Sequence, residues 1–273
     1  MKHAIYLIAF VLTISLVHAQ TRETRKVDTF TKVSFGVPGK LYLRQGSPQK
    51  VEIEGKAEVL KEIDIEVQGE RLVIGKEGKW SDWFSSDNND DEEVKVYITM
   101  QDVEGLSVSG SGELIGETKI VAGNLDLNVS GSGNLKIEAD ASGDMEADVS
   151  GSGNLIVKGK CGGFDSDVSG SGKVSLDLII SEEAEFGISG SGKIQASGSA
   201  ARVKAAISGS GKVLAADLVT NSCYVRISGS GDVEINVKNE IDANITGSGT
   251  VSYRGSPEKI NSHSSGSGSV RKM

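Results

Sequence analysis

From about residue 105 onward, apolar and polar residues alternate in short runs on either side of a recurring tripeptide. Leu125, Leu127 and Val129 stand at steps of two before one such tripeptide, and Leu135 and Ile137 at steps of two after it. A period of two sends side chains to opposite faces of an extended backbone, so each run predicts a strand with one buried and one solvated face. The tripeptide is Gly-Ser-Gly, beginning at Gly110, Gly131, Gly151, Gly170, Gly190, Gly209, Gly229, Gly247 and Gly266, with spacings of 21, 20, 19, 20, 19, 20, 18 and 19. Two residues before the first glycine stands Val108, Val129, Val149, Val168, Ile188, Ile207, Ile227 or Ile245. Two residues after the second stands Leu114, Leu135, Leu155, Val174, Ile194, Val213, Val233, Val251 or Val270. Each unit therefore predicts a strand, a Ser-Gly-Ser-Gly corner, a second strand and a less regular return.

Glycine suits such a corner because it accepts backbone angles that strain other residues, and because stacked corners leave no room for side chains. Serine hydroxyls are expected to satisfy the donors that the bend frees. One unit of about 20 residues buries too little to fold alone, whereas nine in register share one core. The predicted fold is all-β: a parallel β-helix or β-solenoid with coils of about 20 residues over 105–273. Eight steps at the inter-strand spacing of about 4.8 Å give a rod about 40 Å long. Residues 20–104 predict a β-rich capping region, possible as a separate small domain. Within it Val33-Ser34-Phe35-Gly36-Val37-Pro38-Gly39-Lys40-Leu41-Tyr42-Leu43 follows the repeat template with bulkier residues. In the last unit Ser262, Ser264 and Ser265 are expected to replace inward apolar side chains, and the sequence ends at Met273 within that coil, leaving no room for a downstream anchor.

The first residues do not fit the strand pattern. Lys2 and His3 precede an apolar run from Ala4 to Val17, and Val17-His18-Ala19 offers a cleavage site. This is the layout of a secretory signal peptide covering residues 1–19, and the run is short for a bilayer-spanning helix. No later segment is long and apolar enough to span as a helix. Removing residues 1–19 takes away Lys2 and no acid, so 28 basic residues face 38 acidic ones, a net charge of −10. That balance argues against nucleic acid and against adsorption to anionic lipid. Glycine occupies 35 positions and proline only three, which fits repeated tight turns and not a proline-rich stalk.

The iterated Val/Ile-Ser-Gly-Ser-Gly-x-Val/Leu pattern, behind a leader and a Phe30-Thr31-Lys32-Val33 opening, resembles the auto-transporter adhesin "head GIN domain" family over roughly residues 27–271. The resemblance implies an exported bacterial β-solenoid. It brings no catalytic or binding residue set, and the C-terminal membrane barrel of a true auto-transporter is not found in this sequence.

Chemistry is sparse. The mature chain holds one histidine, His263, in the degenerate last unit, and no corner serine has a histidine partner at repeat spacing. No catalytic residue, metal site or cofactor is assigned, and a polysaccharide-cleaving enzyme is the catalytic reading to exclude. The candidate binding residues are acids and aromatics. Asp126, Glu146, Asp165 and Glu185 stand five residues before successive corners, while Asn128, Asp148 and Asp167 stand three before. In register they form two outward columns about 4.8 Å apart per step, a face that either stays solvated or takes a divalent cation or a basic partner. Lys204 and Arg226 interrupt these columns further on, and Lys173, Lys193 and Lys212 predict a short basic stripe. Trp80 and Trp83 precede the acids Asp87, Asp90, Asp91, Glu92 and Glu93, and serve either as an exposed contact site or as a plug for the solenoid end. Cys161 and Cys223 should lie three coils apart, about 14 Å, beyond the roughly 7 Å reach of a disulfide, so both are expected free, with Cys223 inward.

Two functions remain open from the sequence. One is an adhesin-like rod on the cell surface, meeting glycan or an envelope or host protein; the other is a periplasmic scaffold without an external ligand.

Overall fold

The computed structural model describes residues 21–76 and 94–273; the leader and the segment holding Trp80 and Trp83 lie outside the described residues. The chain winds into a β-solenoid of coils of about 20 residues. Each coil contributes one strand to an entry ladder, which runs into the Gly-Ser-Gly corner, and one to an exit ladder, which leaves it. The strand Leu125–Gly131 pairs in parallel with Gly105–Gly110 on one side and Met145–Gly151 on the other, in register from Val129 to Val108 and Val149. After the corner, Asn134–Ala141 pairs in parallel with Glu113–Gly116 and Asn154–Cys161. Inward residues of both ladders form one continuous core from Phe30 to Val251.

The corners divide the work between their two glycines. The first has positive φ in every unit, from 80° at Gly110 to 127° at Gly266, a region that favours glycine. The second is required by space: a Cβ on Gly133 would stand 2.6 Å from Val108 Cγ1 and 2.8 Å from the Gly112 carbonyl oxygen. Backbone carbonyls of the preceding corner, where serine hydroxyls were expected, take the freed donors. Ser132 N donates to Gly110 O at 2.8 Å, and Ser152 N to Gly131 O at 2.8 Å. The predicted irregular return is present in the earlier coils. In three later coils it disappears into unbroken strands, Lys193–Gly209, Lys212–Gly229 and Asp232–Gly247, and it returns between Thr250–Gly255 and Lys259–Gly266. Along the unbroken strands the ladder follows the bend, with Ala200 paired to Thr220 and Arg202 to Ser222.

At the N-terminal end the stacking order departs from the chain order. Lys32–Phe35 and Lys40–Gln45 continue the columns of the array, Phe35 lying beside Val108 and Leu41 beside Leu114. The layer outside them comes later in sequence, from Arg71–Lys76 and Lys95–Met100, again parallel. Antiparallel strands then close both ladders: Ile63–Gln68 on the entry side, Lys50–Gly55 and Thr21–Arg25 on the exit side. The rings of Tyr42 and Tyr97 stack 5.3 Å apart, with the Arg22 guanidinium 4.0 Å over Tyr97.

At the other end Lys259–Gly266 is exposed along its whole length. Ser262 and Ser264 register on the inward Ala243 and Ile245, as expected. Ser265 instead pairs with the outward Thr246, because strand alternation sends neighbours to opposite faces. Both cysteines are free and buried, in different columns: Cys161 beside Ile180 and Cys223 between Val203 and Ile241. Burial pushes both thiols up to about 12, which disfavours the reactive thiolate. Among the described residues, no helix is long and apolar enough to cross a membrane.

Candidate functional site

The strand register assembles the acidic columns. Asp126, Glu146, Asp165 and Glu185 occupy successive positions of one outward column of the entry ladder. Asp167 stands in the neighbouring column beside Gly187, and its carboxylate fills the space that a Cβ on that glycine would take. Crowding is visible in the protonation equilibria. Burial, followed by the neighbouring Asp167 and Glu185 carboxylates, pushes Asp165 up to about 6. Repulsion from Asp148, then burial, raises Glu146 above the usual carboxylate range. Burial raises Asp148 too, against an opposing hydrogen bond from the Asp167 N–H.

Two of these acids are already engaged within the fold. Asp148 Oδ1 accepts the Asp167 backbone N–H at 3.0 Å, and Ser166 Oγ donates to Ala147 O at 2.6 Å. Together they bridge a stretch between Met145–Gly151 and Phe164–Gly170 where direct backbone pairing lapses. Glu185 lies 3.7 Å from Lys204, which also binds Glu183 at 2.7 Å. The cation that interrupts the column thus closes its end. Among the described residues no three His, Cys, Asp or Glu side chains are grouped so as to hold a metal ion. Lys173, Lys193 and Lys212 do stack in register on the exit ladder, and Lys212 is paired to Asp232 at 2.8 Å.

The exit ladder carries a feature that the sequence reading missed. A groove of about 340 Å³ runs along the rod axis over six successive coils, from Ile156 to Arg254. Its floor is the column Ile156, Ser175, Gln195 and Leu214, and beside it runs Lys158, Asp177, Ser197 and Asp217. One wall comes from the clearest break in the repeat. Opposite Ile235 and Asn236, which are consecutive, stand Ala215 and Val219, so Ala216, Asp217 and Leu218 form a bulge in which Asp217 faces out while Ala216 and Leu218 stay buried. Arg254, in register with Asn236, reaches past that coil and binds Asp217 at 3.1 Å. The trace in the sequence is slight: a coil of 20 residues between Gly209 and Gly229 is followed by one of 18.

This architecture defines a class: a parallel β-solenoid with outward columns in register and a lateral groove. The chain belongs to the family described as "putative auto-transporter adhesin, head GIN domain", whose sequence model matches residues 29–195 and 171–257. Three crystal structures share the fold. A "putative lipid binding protein" from Parabacteroides distasonis is 21% identical with a TM-score of 0.69, covering 93% of this chain and 96% of its own. A "putative adhesin" from the same organism is 18% identical with a TM-score of 0.68, covering 94% and 98%. A "putative adhesin" from Parabacteroides merdae is 20% identical with a TM-score of 0.68, covering 93% and 96%. No curated protein matches the sequence.

Proposed function

We propose that the mature chain is an exported, adhesin-like binding module of the bacterial cell envelope that performs no catalysis. The observation that carries this reading is membership of an adhesin family over most of the chain. The fold is compatible with it: a stack of coils with one shared core holds side chains at fixed intervals on both ladders without moving parts. Catalysis would need a nucleophile with its base or a metal-activated water. The corner serines lack histidine neighbours at repeat spacing, and the acids of the entry ladder are partly consumed by backbone and lysine contacts. Binding at such a surface is expected to be weak per site and strengthened by many copies on one cell.

Protease shaving of intact cells carrying this protein with a C-terminal tag tests the reading. Loss of the tag while a periplasmic marker survives supports surface display and an adhesin. Protection until the outer membrane is opened removes the adhesin reading in favour of a periplasmic scaffold.

A further inference from the structure

We infer that the groove on the exit ladder binds a neutral oligosaccharide lying along the rod axis; this rests on the adhesin-like reading and assigns it a site and a ligand class. The groove is built where the repeat departs from its own rule. The bulge at Ala216–Leu218 turns Asp217 out as a wall, and the Arg254–Asp217 ion pair ties that wall across an intervening coil. Bulges re-aim side chains beside functional sites, and this one shapes a concavity within the size range of ligand pockets.

The chemistry of the floor selects the ligand. Along the axis two polar positions, Ser175 and Gln195, lie between two aliphatic ones, Ile156 and Leu214, one per coil. A pyranose chain offers C–H faces for the aliphatic ends and hydroxyl edges for the polar pair between them. Hydroxyls need both donors and acceptors. Gln195 supplies both, Lys158 donates, and Asp177 accepts while held by Ser197 Oγ at 3.2 Å.

Charge narrows the class further. Two cations, Lys158 and Arg254, face three carboxylates, Asp177, Asp217 and Glu234, and the Arg254 charge is already matched by Asp217. A sulfated or uronic chain would meet net negative charge, whereas a neutral one meets no repulsion. An extended peptide fits poorly, because the floor is the face of a sheet whose backbone groups are paired within the ladder. A peptide could add no strand there and would leave its own N–H and C=O groups unmatched.

The test uses the mature chain on a printed array of neutral, sulfated and uronic oligosaccharides of two to eight sugars, followed by titration calorimetry with the best probe. Neutral oligosaccharides should bind saturably. Ser175→Arg, an outward substitution that fills the floor, should weaken binding about tenfold or more with an unchanged melting temperature. Arg254→Ala should weaken it by a smaller factor, and Asn261→Ala, on the last coil of the entry ladder, should leave it unchanged. Binding that survives Ser175→Arg, preference for acidic glycans, or capture of peptides with no response to any sugar would each overturn the inference. Surface display in the shaving experiment alongside a silent array would sink the groove assignment and leave the adhesin reading standing. A periplasmic location alongside neutral-sugar binding at the groove would do the reverse.

Discussion

The two ends of the rod face the same physical problem and treat it differently. A stack of parallel strands ends in rows of backbone donors and acceptors, which invite pairing with another chain. At the N-terminal end strand direction reverses: Ile63–Gln68 and Lys50–Gly55 lie antiparallel over the outermost coil, and Thr21–Arg25 pairs antiparallel with Lys50–Gly55 outside it. The side chains beneath are large and fully buried, among them Phe35, Leu41, Leu43, Leu72 and Ile74. In the layer of Lys259–Gly266 and Ser269–Lys272 the inward positions hold Ser262 and Ser264, and Ile260 is 43% exposed. One end is closed with bulk and reversed strands. The other has little apolar surface with which to recruit a neighbour. An interior coil has a partner on each side and a terminal coil has one, so stability should be graded along the axis, lowest near residue 266.

That gradient can be broken or sharpened by experiment. The largest effect is expected from Gly190→Val in the middle of the stack. There φ is 122° and a Cβ would meet the Gly170 carbonyl oxygen at 2.6 Å. The cost should be about 3 kcal/mol or more in urea denaturation. The matching Gly266→Val, with φ of 127°, should cost about 1 kcal/mol or less because its layer can open locally. Equal losses at the two glycines would disprove a graded rod. Phe35→Ala should cost about 3–5 kcal/mol, read from thermal melting, whereas Ile260→Ala should be close to neutral. Hydrogen exchange followed by mass spectrometry should show Lys259–Gly266 exchanging well before Arg71–Lys76, and the opposite order would mean that the antiparallel strands do not protect the first coils.

A smaller effect concerns pH and the interior coils. Asp165 has a folded pKa of about 6, above the roughly 3.9 of an unfolded aspartate, so the folded chain binds the proton more tightly. Its favourable contribution is complete below about pH 4 and is lost as pH rises through about 6. Raised Glu146 and Asp148 act in the same direction. Glu52, lowered by Lys50 and Arg22, and Glu183, lowered chiefly by Lys204, act oppositely, losing their contribution as acid protonates them below about pH 4. The melting temperature should therefore be higher at pH 5 than at pH 7.5. Asp165→Asn should raise it at pH 7.5 and shrink the difference; a rod most stable at neutral pH would show that the columns carry no strain. Smallest of all, Ser264→Val should change stability by less than about 1 kcal/mol, since Ile245 beneath is already covered.

Much of this molecule is legible in the sequence because its repeat is periodic at two levels. Period-two alternation identifies inward residues such as Leu125, Leu127 and Val129. The interval of about 20 aligns them, which places Asp126, Glu146, Asp165 and Glu185 in one column from the sequence alone. Legibility failed where a contact depends on something other than the repeat. Ser265 faces outward against expectation because degenerate serines carry no inward or outward label. The corner hydrogen bonds were credited to serine hydroxyls, although stacking brings the glycine carbonyls of the previous coil closer. The groove was invisible because a two-residue difference in coil length does not say which ladder absorbs it.

By itself, then, the sequence determined the strand–corner–strand unit, its stacking register and the residues that face outward, because each follows from local periodicity and from glycine at the bend. Tertiary structure alone decided that Arg71–Lys76 and Lys95–Met100 form the layer outside Lys32–Phe35 and Lys40–Gln45, that reversed strands close that end, and that Arg254 reaches Asp217 across an intervening coil. These are non-local pairings between segments with no common spacing, and their free energy depends on which surfaces remain open once the repeats have stacked.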